Sequence, residues 1–549
     1  MTQPDTTVFD IGLTGATAGS VEVMGFKAHN LSRLAQMGLP VPQAFVLGTT
    51  WCQRFLEDDA ATLKQLRPVL DERMGVLEGA TGLAFGGGRK PLLVSVRSGA
   101  PVSMPGMMDT LLNIGLCEAT VRGMLRLTGN PRLVWDSYRR LVQQYAEVVC
   151  GADPQPFRSR LQESLTRKGI EDASGLDFRD LTRLTRDSLE IFEELVGMPF
   201  PQEPDEQLTG AVAAVFRSWQ SARAVEYRRM SNLPDTLGTA VTVQRMVFGN
   251  AGGTSGAGVG FTRDPDTGAN RFYLDFRFNS QGEDIVSGRH EANDAVQLEH
   301  ALPDVHRQLA DVCGALERAF GDAQEFEFTV QEGKLFMLQT RGAKRTPWAA
   351  LRIAVEQVRE ALITPAEALR HLAGIELDKI ERRRLDAADG APLLAEALPA
   401  STGVASGFVA LDAGAVERCA VQGKPAILVR EDMATADITA IGAAAGVLTR
   451  QGGRTAHAAV VARQLGKVCL VGCRELSIDL AARQISLGGR VLQEGDLVCL
   501  DADSGRIYRG EPKTIVEKPV EYVSEVVRWQ RAVRRHAHRY SDPVPQSAT

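Results

Sequence analysis

Residues 119–207 are helical in pattern throughout and rich in charge, as in LTRLTRDSLEIFEELV, and strand-like runs lie on both sides of them. PLLVSVRS (91–98) is apolar and β-branched and reads as a buried strand. TAVTVQRMVF and RFYLDF return to that pattern after the helical block. A chain that builds sheet, stops, and builds sheet again must carry a helical insertion. At 549 residues it is also too long for one core, so three or four domains are expected.

Further signals divide the rest. KAHNLSRLAQM (27–37) has helical spacing and ends at Gly38 and the Pro40-Val41-Pro42 run. EFEFTVQEGKLFMLQTR (325–341) is two alternating runs joined by Gln331-Glu332-Gly333-Lys334, a hairpin. From Thr346 to about Leu398 the chain is helical and polar, with Pro365 opening one helix and Gly390-Ala391-Pro392 breaking another, and reads as a linker. A Gly/Ala/Val-rich unit follows, with short strands at AILVR, AGVLT, VCLVG, DLVCLD and GRIYRG, and then a basic amphipathic helix, EYVSEVVRWQRAVRRHAHRY, with a polar end. The expected division is 1–118, a helical insertion 119–207, 208–345, a helical linker 346–398, a compact unit 399–512, and a helix and tail 513–549. The class is multidomain α/β (α+β).

Hydrophobic residues are 44% of the chain and charged residues 24%, with a net charge of −6, so no basic field recruits nucleic acid. No apolar run is long enough for a bilayer, and MTQPDTTVFD lacks the regions of a signal peptide. The eight cysteines have no framework spacing, and Cys469 and Cys473 read as small core residues. These features point to a reducing cytoplasm.

TRQGGRTAHAAVVARQLG (449–466) carries the chemistry. Gly452-Gly453 let the backbone turn after a strand, and Thr455 can cap a helix whose body is 458–465. His457 then falls in the first turn, among free backbone N–H groups at the positive end of the dipole. That setting favours a phosphoryl group on the imidazole and disfavours imidazolium, leaving a neutral nucleophile. Arg454 and Arg463 are candidates for charge-assisted phosphate contacts. The bland reading is a capping-region histidine behind two glycines.

A phosphohistidine needs a donor, and the first half of the chain offers pieces of a nucleotide site. Lys27, in GFKAHNL, stands on a glycine-permitted turn into a helix. Arg97 ends a buried strand, where a charge requires an anionic partner. Ser103–Asp109 is a methionine-bearing Gly/Pro loop. Gly252 to Gly260 (GGTSGAGVG), with Gly256 and Gly258, is expected to be a loop able to bring N–H groups to phosphates. On the hairpin, alternation puts Glu325, Glu327 and Thr329 on one face and Gln339 and Arg341 together on the return strand. Carboxylates beside an amide oxygen and a guanidinium suit Mg²⁺ and phosphate, although a charged, solvent-facing sheet surface has the same pattern.

GGRTAHAAVVAR resembles the phosphohistidine signature of the enzymes that interconvert pyruvate and phosphoenolpyruvate, the pyruvate phosphate dikinase family, with Ala456 where serine is usual. GFKAHNLSRLAQMGLPVP, PLLVSVRSGAPVSMPGMMDTLLNIGL, MVFGNAGGTSGAGVGFTRDPDTG and EFEFTVQEGKLFMLQTRGAKRT are similar to that family's ATP-grasp half. Phe26, Ala28 and Ala257 depart from its pattern. The resemblance implies an ATP-grasp nucleotide-binding region with a helical insertion, then a swivelling phosphohistidine domain carried on the linker. It implies a kinase with paired acceptors that phosphorylates His457 from ATP, in which Lys27, Arg97 and Arg341 meet the phosphates. Glu325 would serve the nucleotide, Glu327 and Gln339 would hold Mg²⁺, and Thr455 matches a regulatory position of some relatives. Relatives continue into a barrel for pyruvate or phosphoenolpyruvate. The expectation is therefore a truncated form whose acceptor site is a separate barrel subunit or another acceptor, with a silent ATP-binding regulator as the alternative. A homodimer is left open.

Overall fold

The computed structural model describes residues 7–13, 15–16, 19–102, 104, 110–170, 173–230, 233–282, 295–386, 391–433, 437–453 and 457–539. The chain divides into two compact units, residues 1–255 with 329–340, and residues 256–328 with 341–549.

The first unit is organised by a five-stranded antiparallel sheet of β1 (Val8–Ile11), β2 (Ala44–Leu47), β3 (Val94–Gly99), β4 (Thr110–Ile114) and β5 (Ala240–Arg245), in the order β1-β2-β5-β3-β4. Helix α1 (Phe26–Gln36) stops as the sequence requires, at Gly38 with φ +75 ahead of two prolines. Between β4 and β5 the chain is helical: α2 (Glu118–Thr128), α3 (Pro131–Val148), α4 (Gln155–Lys168), α5 (Phe178–Val196) and α6 (Pro204–Ser218). Their starts follow capping chemistry. Asn130 and Asp177 accept from the first-turn N–H groups of α3 and α5, and Pro131 and Pro204 occupy first helical positions where no N–H is needed. Their apolar faces share one core with the sheet, in which Tyr145, Phe192 and Phe200 pack edge to face or tilted.

The second unit opens with β6 (Gly256–Phe261) and β7 (Tyr273–Phe278); the hairpin strands β8 (Gln324–Gln331) and β9 (Lys334–Gly342), of which residues 329–340 are counted with the first unit, extend this sheet in the order β9-β8-β6-β7. Glu332 (φ +50) and Gly333 (φ +75) make the hairpin turn, two successive left-handed residues of the kind that matches strand twist.

Residues 346–398 are not the plain linker the sequence suggests. α7 (Pro347–Arg359) and α8 (Pro365–His371) form an apolar cluster, and β10 (Arg382–Leu385) follows them. Beyond lies an eight-stranded sheet with four parallel strands, β11 (Val404–Ala410), β12 (Ala426–Arg430), β13 (Gly446–Thr449) and β14 (Val468–Val471). Helix α9 (His457–Gln464) crosses from β13 to β14. Alternation sends Val409, Ile427 and Leu448 to one face, covered by a three-stranded sheet through Leu476, Ile485 and Leu492. Ala410, Leu428 and Val447 go to the other, covered by helices through Val416, Ile441 and Ala462. The chain then returns as β15 (Thr514–Glu517), antiparallel to β10, and α10 (Val520–Arg539), whose Val526 completes the α7–α8 cluster. No described helix is long and apolar enough to cross a membrane, and all eight cysteines are free.

Candidate functional site

The two phosphate-facing candidates of the first unit come together through glycines. Gly25 caps α1 with φ +75, and a Cβ there would stand 1.9 Å from the Gly99 carbonyl oxygen at the end of β3. Only glycine permits that approach, which the Phe26 N–H seals by donating to the Ala100 carbonyl at 2.8 Å. Lys27, half-buried, occupies the second position of the helix so fixed. Arg97, also half-buried, lies opposite Thr242 on one side and Thr110 on the other, and its Nη1 donates to Gln244 Oε1 at 3.5 Å. Motifs some seventy positions apart therefore share one corner of the unit.

On the hairpin the alternation holds, but not as a wet surface. Glu325 is 6% exposed and Gln339 8%, while Glu327 and Arg341 are half-buried. Arg341 Nη2 donates to Glu325 Oε1 at 2.5 Å. Burial alone would lower the guanidinium pKa, yet Glu325, and after it Glu327, hold it above its ordinary value, so it stays charged. A buried carboxylate–guanidinium pair is costly unless it has work or further partners. Among the described residues no three His, Cys, Asp or Glu side chains gather as a metal cluster.

Gly256 and Gly258 are not where a phosphate loop would need them. They begin a fully buried strand, paired residue by residue with Phe278 and Phe276 of β7. A Cβ would meet Phe276 Cζ at 2.2 Å from Gly256, Phe328 Cζ at 2.5 Å from Gly258 and Phe326 Cζ at 2.4 Å from Gly260. The glycines make room for aromatic rings. The turn itself is residues 252–255, and around Gly252 and Gly253 the space is open.

In the second unit α9 begins at His457, after β13 and a turn in which Gly452 has φ +115. Its start thus lies beyond the carboxyl end of a parallel strand, the usual position for anion sites in such sheets. The side chain of His457, together with Arg454, Thr455 and Ala456, lies outside the described residues, as do Ser103 and residues 105–109 of the methionine loop; Met104 is buried in the core. Arg463 departs from expectation. It is fully buried in the last turn of α9, with Nε donating to Asp266 Oδ1 at 2.6 Å, and so cannot serve the same phosphate as a residue at the first turn. Nothing in TRDPDTG marks Asp266 as the partner of a side chain 197 positions away.

Two stretches match known domains. Residues 80–307 match the pyruvate phosphate dikinase AMP/ATP-binding domain, and residues 422–505 match the mobile domain of PEP-utilising enzymes. Arg97 falls in the first and His457 in the second, whereas Lys27 and the hairpin lie outside both. The chain is also similar to pyruvate, phosphate dikinases: 42% identical to that of Clostridium symbiosum over 90% of this chain and 57% of the relative. To that of Rhizobium meliloti (strain 1021) it is 37% identical over 98% and 62%, and to that of Entamoeba histolytica 39% over 96% and 60%. The chain therefore spans 57–62% of the length of these relatives.

Proposed function

We propose that this protein is an ATP-dependent phosphotransferase, a kinase of the pyruvate phosphate dikinase type, that phosphorylates its own His457. The observation that carries the reading is a helix that begins at His457, behind a glycine turn and the end of a parallel strand, within a stretch that matches the PEP-utilising mobile domain. The match of residues 80–307 to an AMP/ATP-binding domain supplies the donor half.

His457 attacks the β-phosphorus of ATP and AMP leaves, giving a pyrophosphoryl-histidine. Inorganic phosphate then takes the γ-phosphoryl group, pyrophosphate departs, and one phosphoryl group stays on the imidazole for the final acceptor. Phosphoryl transfer of this kind is mostly positioning and charge neutralisation. Lys27 and Arg97, held at the Gly25–Gly99 corner, and Arg341 bind phosphate oxygens, with Arg341 exchanging part of its bond to Glu325 for the nucleotide. The carboxylate of Glu327 and the amide oxygen of Gln339 are hard oxygen donors that fit Mg²⁺, which when bound neutralises phosphate charge. The open turn at Gly252-Gly253, rather than Gly256 and Gly258, is where backbone N–H groups can approach a phosphate. The region around His457 swivels between donor and acceptor, and pyruvate, reached through a phosphoenolpyruvate-type barrel, is the acceptor favoured by the relatives' names. A cytoplasmic setting suits the eight free thiols.

Incubation with Mg-[β-³²P]ATP should place an acid-labile, base-stable label on His457 and release AMP. His457→Asn should abolish the label and lower AMP release at least ~10³-fold, as loss of a nucleophile does. AMP release at the wild-type rate from that variant would refute the reading.

A further inference from the structure

Arg463 closes the last turn of α9 and is 0% exposed. Taking a guanidinium out of water is costly unless a carboxylate and further acceptors replace the solvent. Here Nε donates to Asp266 Oδ1 at 2.6 Å and Nη2 to the Ala400 carbonyl at 3.0 Å, and the guanidinium lies 5.8 Å from the centroid of the Phe261 ring. Burial alone would lower its pKa, but Asp266, with Tyr273 and Glu325, holds it above its ordinary value, so the guanidinium stays charged.

Asp266 is itself fixed from several sides. Its N–H donates to Asp264 Oδ1 at 3.0 Å, its carbonyl accepts from Thr346 Oγ1 at 2.8 Å, and Arg271 is tied to Asp264. Gly268, at φ +73, lies so close to α7 that a Cβ would be 2.9 Å from the Ala349 carbonyl oxygen. Just beyond α9, a Cβ on Gly466 would be 3.7 Å from Pro347 Cδ. One end of α9 thus stands on a rigid loop and the start of α7, and His457 begins the other end, six residues or about 9 Å along the axis. A buried ion pair adds little net stability compared with an apolar pair, but it specifies one direction and one register.

We propose that Arg463 is a positioning residue for phosphoryl transfer to His457: its ion pair with Asp266 fixes the rotation and height of α9 and thereby the presentation of the histidine at the opposite end. The proposal rests on the reading that His457 is phosphorylated. The pair acts through the placement of α9, so its loss is expected in the transfer step and not in nucleotide affinity.

The test is single-turnover labelling from Mg-[β-³²P]ATP in the full chain, with wild type, Asp266→Asn, Asp266→Glu, and the double variant Asp266→Leu/Arg463→Met, which replaces the pair by apolar groups and avoids a lone buried charge. Asp266→Asn and the double variant should label about 10-fold or more slowly at saturating nucleotide, with KM for ATP within about 2-fold of wild type. Asp266→Glu should recover most of the rate, and amide hydrogen exchange across residues 459–465 should quicken in Asp266→Asn. A folded double variant that labels at the wild-type rate would overturn the proposal, and so would a rate loss matched by an equal rise in KM. Should wild type itself take no label, the phosphohistidine reading fails instead. The exchange measurement then decides alone, and unchanged protection of α9 sinks the ion-pair lock.

Discussion

Helices α3 and α5 pack against each other within one stretch of chain and share a core with the sheet beside them, whereas α7 and α8 close their apolar face only when α10 returns from the far end. In sequence the two regions look alike, helical, polar and charge-rich. The first is held by residues near in sequence, with Tyr145, Phe192 and Phe200 at its centre. The second is held by Val526, Tyr522, Val523 and Trp529 arriving more than 150 positions after α7 begins, and by β10 pairing with β15. The difference teaches that a segment can read as a spacer because its partner is remote rather than absent.

The largest effect should come from removing residues 519–549. Val526 is fully buried and contributes roughly 1.5–3 kcal/mol, and the partly buried Tyr522, Val523 and Trp529 would be lost with it. Trypsin should then cut after Arg359 and Arg370, while residues 118–218 keep their protection; equal resistance of both regions would break the contrast.

A smaller effect separates the regions by pH. Asp136 in α3 is 4% exposed, and although burial raises its pKa, Arg139 and Arg140 outweigh that and hold it at about 2 against an ordinary 3.8. With the folded value below the unfolded one, its contribution is complete above pH 4 and is lost as pH falls toward 2, amounting to ~2 kcal/mol. Urea unfolding of wild type should weaken over that window by about this much more than unfolding of Asp136→Asn.

The smallest effect is at the ribbon. Arg382 lies 4.4 Å over the Trp348 ring and donates to Glu517 Oε2 at 2.8 Å, a partly exposed arrangement worth about 1 kcal/mol or less. Arg382→Ala should raise hydrogen exchange in β10 and β15 by about 5-fold and leave α3 and α5 unchanged.

What was legible in the sequence follows the same division. Helix stops at Gly38, the Glu332-Gly333 turn and the strand–glycine–helix order around His457 are written within a few residues, and the structure shows them. The buried face of the hairpin was only half legible: alternation grouped Glu325 with Glu327 but could not say that Glu325 is buried. The glycines of β6 misled because glycine fits both a loop that approaches phosphate and a strand beneath phenylalanines, and the rings that decide are on β7 and β8. Arg463 misled likewise, since proximity to His457 in sequence outweighed an unseen Asp266.

The antiparallel pairing of Arg382 with Glu517 and of Leu385 with Thr514 has a consequence of its own. Everything between those strands is one excursion whose entrance and exit stand side by side, roughly 4.8 Å apart. Such an excursion closes on itself at β10 and β15, and it has a second tie to the same unit through the Arg463–Asp266 pair. A change of length inside the excursion therefore leaves the spacing of its two ends as it is.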